Sequence, residues 1–113
     1  MSNQENIVKA LEVMGARQRD EWTEAWFLPR TCAECWTLSG GASGRALFIA
    51  EAKAFLREKG YDSFNVKYTK TEVELFVFVG NNLKMIHAPT EHEAYALAVL
   101  AACGDKEVKD ATR

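Results

Sequence analysis

Hydrophobic residues recur at two spacings along this chain, and the two spacings predict different elements. Apolar positions three or four residues apart form one face of a helix, and this pattern appears three times. The first stripe is Ile7–Leu11–Met14, the second is Phe48–Ala52–Phe55–Leu56, and the third is the run Ala94–Cys103. Gly15 and Gly60 follow the first two stripes and predict left-handed helix ends. Thr90 and Glu93 form a capping box before the third.

Strict alternation of apolar and polar residues predicts strands between the second and third helices. Phe64, Val66 and Tyr68 alternate with polar residues, and a second run follows from Glu72 to Val79. In that run four apolar side chains share one face and four side chains share the other. The first set is Val73, Leu75, Val77 and Val79, and the second is Glu72, Glu74, Phe76 and Phe78. Gly80-Asn81-Asn82 predicts a tight turn into a further strand, Leu83–Ala88.

The segment between the first two helices is less regular. Trp22 to Leu28 suits a strand by alternation, although Trp22 and Trp26 are also four apart, as on a helix. Pro29 ends either element, and Cys35–Leu38 predicts a second short strand.

These elements predict an α+β fold in the order αββ-αβββα, with one antiparallel sheet covered by helices. Residues 1–104 form a single domain in this interpretation, and the charged tail 105–113 is expected to be disordered. The third helix is apolar all round, so we expect it to be covered on more than one side. Either the first helix or a second copy in a homodimer provides that cover.

Composition narrows the class of partner. The 113 residues are 48% hydrophobic and 27% charged, with a formal net charge of −2. A nearly neutral chain has no general electrostatic attraction for nucleic acid or anionic membrane. No apolar run reaches the length of a membrane span, and the N-terminus lacks a signal-peptide pattern. The three cysteines, an odd number, do not suggest a disulfide framework. We therefore expect a cytoplasmic protein that does not bind membranes.

Residues 44–103 resemble the double-stranded RNA-binding domain in their αβββα order. That family places basic residues at the start of its last helix to contact phosphates. Here the same position reads Thr90-Glu91-His92-Glu93-Ala94, whose carboxylates repel phosphate. The topology is therefore expected without nucleic-acid binding.

A second resemblance covers most of the chain. The opening from Ile7 to Gly15, the helix Ser43–Gly60 and the alanine-rich ending from Thr90 to Ala98 are similar to the small phage ABA-sandwich family. Ala16 stands where that family usually has Trp. The resemblance implies a phage or prophage origin and a helix–sheet–helix layered fold, and it carries over no catalytic residues.

Cys32 and Cys35 form a lone CxxC, which His87 and His92 complete as an alternative Cys2His2 zinc site. Such a site requires the cysteine turn to lie beside the end of the last strand. A single CxxC also arises by chance, and neither flank has the glycine usual at zinc knuckles. We therefore predict no cofactor, with zinc as the alternative.

Aromatic residues crowd one short segment and give the main functional hypothesis. Trp22, Trp26, Phe27 and Trp36 lie there with Arg30, and Trp and Arg are enriched in binding hot spots. We predict that these five residues bind a protein partner, the alternative being that all the Trp rings are core.

No residue is tied by sequence to His87 or His92 as a nucleophile, and no acidic pair is marked out, so we predict that the protein is not an enzyme. The leading hypothesis is a phage-type or mobile-element-type protein that binds another protein, as an inhibitor of a host defence system for example. The alternative is a zinc-binding or nucleic-acid-associated regulatory module.

Overall fold

The computed structural model describes residues 3–19, 25–36 and 41–103. These residues form three helices and two three-stranded antiparallel sheets, which confirms the α+β class. The helices are α1 (Asn3–Val13), α2 (Gly41–Glu58) and α3 (Glu91–Ala102). The first sheet contains β1 (Arg17–Gln18), β2 (Ala25–Leu28) and β3 (Ala33–Trp36). The second contains β4 (Tyr61–Tyr68), β5 (Val73–Val79) and β6 (Asn82–Ala88).

The predicted single sheet is wrong, because the strands before and after α2 form separate sheets. The order is αβββαβββα, with one strand more than the sequence predicted. That strand, β1, is only two residues long and pairs with Phe27 and Trp26 of β2. A strand of two residues is too short to show an alternation of apolar and polar positions, so the sequence did not predict it. α2 packs against both β3 and β4, so a helix rather than a hydrogen-bonded ladder connects the two sheets.

The second sheet has the two faces that the alternation predicted. Val73, Leu75 and Val77 are buried on the inner face, against which α3 packs. Val79 pairs with Asn82 across the two-residue turn Gly80–Asn81, and Gly80 has a φ of +64°. A two-residue turn fixes the register of β5 against β6, and thereby decides which β6 side chains share the outer face.

Helix ends follow the predicted glycine stops. Gly15 has a φ of +84° and Gly60 a φ of +90°. After α1, Ala16 N donates to Leu11 O at 2.9 Å and Gly15 N to Glu12 O at 3.1 Å, which is the Schellman pattern. At α3 the Thr90 hydroxyl accepts from Glu93 N, as the capping box predicted.

α3 occupies the centre of the protein. Its inner side packs on β5 and β6, α2 packs beside it, and α1 packs against it as well. Tyr95, Ala96, Val99 and Leu100 are accordingly buried. The first helix thus supplies cover that the apolar sequence of α3 required, and a homodimer stays a prediction. Within the described part of the chain, no helix is both long enough and apolar enough to cross a membrane. The predicted tail 105–113 lies outside the described residues.

Candidate protein-binding surface

Arg30, one of the five predicted partner-binding residues, is partly buried, and a fully buried carboxylate holds it in place. Glu51 of α2 is 0% exposed and faces the turn between β2 and β3. Its Oε1 accepts from Arg30 N at 3.1 Å and from Thr31 N at 2.9 Å. Its Oε2 accepts from Arg30 Nη1 at 3.0 Å. A buried carboxylate is tolerated only when it is paired and hydrogen-bonded in this way.

The Arg30 side chain also connects the turn to two helices. Nη1 donates to Met14 O at the end of α1, over 2.6 Å, and Nε donates to Glu58 Oε2 over 3.0 Å. The guanidinium carbon lies 5.0 Å from the centre of the Phe55 ring. The hydrogen bond with Glu58 raises the pKa of Arg30 and lowers that of Glu58. With its donors engaged, Arg30 has a structural role at the junction of α1, α2 and the first sheet.

The predicted aromatic set is divided between core and surface. Trp26 is only 7% exposed and belongs to the hydrophobic core, whereas its neighbour Phe27 is 43% exposed. Trp36 pairs with Ala25 in the first sheet, but only its backbone is described. Trp22 lies outside the described residues. Partner binding by this segment remains a prediction. Among the aromatic side chains of the segment that the structure describes, Phe27 is the one exposed to a partner.

The three residues of the alternative zinc site whose side chains are described do not come together. Cys32 is exposed in the β2–β3 turn with a φ of +55°, and its thiol lies 3.7 Å from Pro29 O. His87 lies on β6 and His92 in the first turn of α3. Within the described ranges, these three side chains form no group close enough to share a metal ion. The side chain of Cys35 is outside that description.

His87 instead meets two carboxylates that the sequence analysis did not link to it. Its Nδ1 lies 2.7 Å from Glu72 Oε2 and 3.7 Å from Glu74 Oε2. The three ligand-type atoms lie within 4.8 Å of one another, on the outer face of the second sheet. Carboxylate and imidazole are metal-ligand chemistries, but the three groups are only partly buried, and the short His87–Glu72 contact accounts for their arrangement without an ion.

Beside this cluster the outer face of the second sheet is apolar. Phe78 and Leu83 form a directly opposed cross-strand pair and are 39% and 54% exposed. The next pair along the strands is Phe76 and Met85, both partly buried. We call these four residues the outer apolar patch. The sequence placed Phe76 and Phe78 opposite the valines, but the register of β5 with β6 was needed to add Leu83 and Met85.

The border of the outer apolar patch is mainly acidic. The third pair along the ladder is Glu74 and His87, so the charged cluster continues the same face. On β4, Asp62 pairs with Phe78 and Lys67 pairs with Glu74. Counting Glu72, this face therefore carries three carboxylates against one ammonium group. The border favours a positively charged partner over an acidic one.

His92 gives a direct test of the local structure at the start of α3. Its Nδ1 lies 3.1 Å from the Thr90 hydroxyl, and burial lowers the pKa of the imidazole below its ordinary value of 6.5. The folded state therefore prefers neutral His92, so this residue reduces stability as the pH falls below 6.5 towards the folded pKa. An NMR titration of the imidazole protons is expected to give a midpoint below 6.5. A midpoint at or above 6.5 would contradict the burial, and His92→Gln identifies the resonances.

Comparison of the chain with family models, with curated proteins and with solved structures found no match. The phage ABA-sandwich resemblance therefore stays a prediction.

Proposed function

We propose that this protein is a non-catalytic module that binds another protein through the outer apolar patch. The observation that carries the proposal is the exposed, directly opposed pair of Phe78 and Leu83. Exposed apolar side chains that form one contiguous patch mark interaction surfaces, whereas single scattered ones do not. Here the pair continues into Phe76 and Met85, so the patch is contiguous.

Two further features of the patch support binding. Phe and Met are enriched at protein interfaces, and the flexible thioether of Met85 adapts to the shape of a partner. The patch also lies on a sheet whose opposite face packs on α3, so its backbone is held in place before binding. A preorganised surface loses less conformational freedom when the complex forms.

The outer apolar patch replaces the Trp22–Trp36 segment as the leading binding surface. In the earlier hypothesis Trp26 and Arg30 were contact residues, but one is in the core and the other is held by Glu51. Phe27 remains a candidate second contact. Three further statements remain parts of this proposal. The partner belongs to a host defence system, the protein works in the cytoplasm, and it is not an enzyme.

A photocrosslinking amino acid in place of Leu83 tests the proposal. In the cells that produce the protein, it is expected to capture a distinct partner that the same amino acid at Val13 does not capture. Val13 is a matched control because it is apolar and 41% exposed, but lies on α1. The captured protein is then purified, and its affinity for wild-type, L83K and V13K proteins is measured.

We expect L83K to weaken binding roughly thirtyfold, because a hot-spot contact contributes about 2 kcal/mol or more. V13K should bind like the wild type. Equal affinity of L83K and wild type would contradict the proposal. Crosslinks only between two copies of this chain would also contradict it, since they would identify the patch as a homodimer interface.

A further inference from the structure

We infer that the partner presents a short, basic amphipathic helix to the outer face of the second sheet. This inference rests on the proposed function and adds the chemistry of the partner to it. Three properties of the face lead to it: its size, the spacing of its cross-strand pairs and the sign of its border.

The flat outline of the face alone is smaller than the surface that each folded subunit buries in a standard interface. Three strands about 4.8 Å apart and seven or eight residues long, at about 3.3 Å per residue, cover roughly 14 by 23 Å. This is about 330 Å², whereas a standard interface buries about 800 Å² on each partner. A helix about 10 Å wide and about 15 residues long has matching dimensions. The area therefore favours a single helical segment over a second copy of this chain.

The spacing of the cross-strand pairs matches one face of a helix. Along a strand, successive residues of one face lie about 6.6 Å apart. The three pairs Phe78–Leu83, Phe76–Met85 and Glu74–His87 follow one another at this interval. In a helix, residues i and i+4 are separated by about 6 Å along the axis. A helix lying along the strands would thus place apolar residues i and i+4 on the first two pairs and residue i+8 near the third.

The border determines the charge of that third position. Glu72 and Glu74 lie beside His87 at the end of the stripe, and Asp62 lies beside Phe78. A Lys or Arg at i+7 or i+8 of the bound helix would reach the two glutamates. Acidic residues there would face the same two carboxylates, against which the ammonium group of Lys67, paired with Glu74, provides a single positive charge. Apolar anchors followed by a basic residue on the same helical face are therefore the recognition pattern that this surface fits.

Designed peptides test the inference without the natural partner. The first is a fluorescent, alanine-rich helical peptide of about 15 residues with Leu at i and i+4 and Lys at i+7 and i+8. The second has Glu in place of both Lys residues. Fluorescence anisotropy is expected to show roughly tenfold tighter binding of the Lys peptide, because each of two exposed ion pairs favours that peptide about threefold. This preference should shrink as salt is added.

Matched variants separate a specific site from general attraction to an acidic protein. E72Q/E74Q should remove most of the preference for the Lys peptide. E12Q/E34Q changes the net charge by the same amount, but its two residues lie on α1 and β3, so the preference should remain in that variant. L83K should bind the Lys peptide weakly. Equal binding of the Lys and Glu peptides, or equal effects of the two double variants, would overturn the inference.

The outcome for the peptides is distinguishable from the outcome for the proposed function. A partner that crosslinks at Leu83 and is lost in L83K supports the function whatever the peptides do. If that partner contacts the patch through a strand or through an acidic segment, the inference of a basic helix is wrong while the binding function stands. Failure at both levels, with no Leu83-dependent partner and no peptide preference, would refute both.

Discussion

Replacing Trp26 with Ala is expected to lower the free energy of unfolding by about 3–5 kcal/mol, the usual cost of truncating a large buried aromatic residue. The Trp26 ring is only 7% exposed and packs in the core. The free energy of unfolding falls for two reasons: the apolar surface of the ring is no longer buried, and the surrounding residues fill the resulting cavity only in part. Phe27→Ala, one residue along the same strand, changes an exposed ring and should cost about 1 kcal/mol or less.

Urea unfolding of the two variants measures this difference, with the midpoint and the slope fitted separately. Loss of partner binding in W26A would therefore report unfolding and not a lost contact, whereas loss in F27A at normal stability would identify a contact. If W26A proves as stable as F27A, the Trp26 ring does not lie in the core, and the prediction of a Trp-based binding surface regains its support.

The parts of the fold that were predictable from sequence are those fixed by local patterns. Gly15 and Gly60 end their helices in the left-handed conformation, and Thr90 caps α3. These features depend on residues close in sequence, so a single stretch of chain reveals them. Because α3 is apolar on all sides, its sequence also indicated that a further element packs against it, and α1 does so.

The first sheet was harder to predict because its pairing depends on distant contacts. The short strands β1 and β2 make too few alternating positions to separate a strand from a helix by period alone. The turn between β2 and β3 is held in place by Glu51, which comes 20 residues after Thr31 and accepts a hydrogen bond from its backbone N–H. In sequence Glu51 is one more polar residue of α2, and nothing local distinguishes it from the exposed Glu58.

The candidate surface shows the same limit. The alternation of β5 predicted that Phe76 and Phe78 share a face with Glu72 and Glu74. Assigning Phe76 and Phe78 to the surface required the knowledge that α2, before the sheet, and α3, after it, both pack on the other side. The aromatic density near Trp26 drew the functional hypothesis to the first sheet, because composition alone does not separate core rings from exposed ones.

Replacing Glu51 with Leu is expected to destabilise the protein by about 2–4 kcal/mol, although Leu has a similar size and creates little cavity. The backbone N–H groups of Arg30 and Thr31 lose their acceptor, and the Arg30 guanidinium loses one of its two carboxylates. Hydrogen bonds to a charged group contribute about 1.5–3 kcal/mol each, and orphaned donors add a desolvation cost. The contributions are not additive, because the three donors share one carboxylate.

Two controls assign the effect of Glu51 to its acceptor atoms. Glu51→Gln keeps one amide oxygen as an acceptor and places an NH2 group beside other donors, so its stability should lie between those of wild type and E51L. Glu58→Gln changes the exposed partner of Arg30, and its urea midpoint should stay close to that of the wild type, since exposed ion pairs contribute little. If E58Q is as unstable as E51L, the Arg30 charge and not the turn backbone would be what Glu51 stabilises. The buried carboxylate would then be an ion-pair partner first and a turn acceptor second.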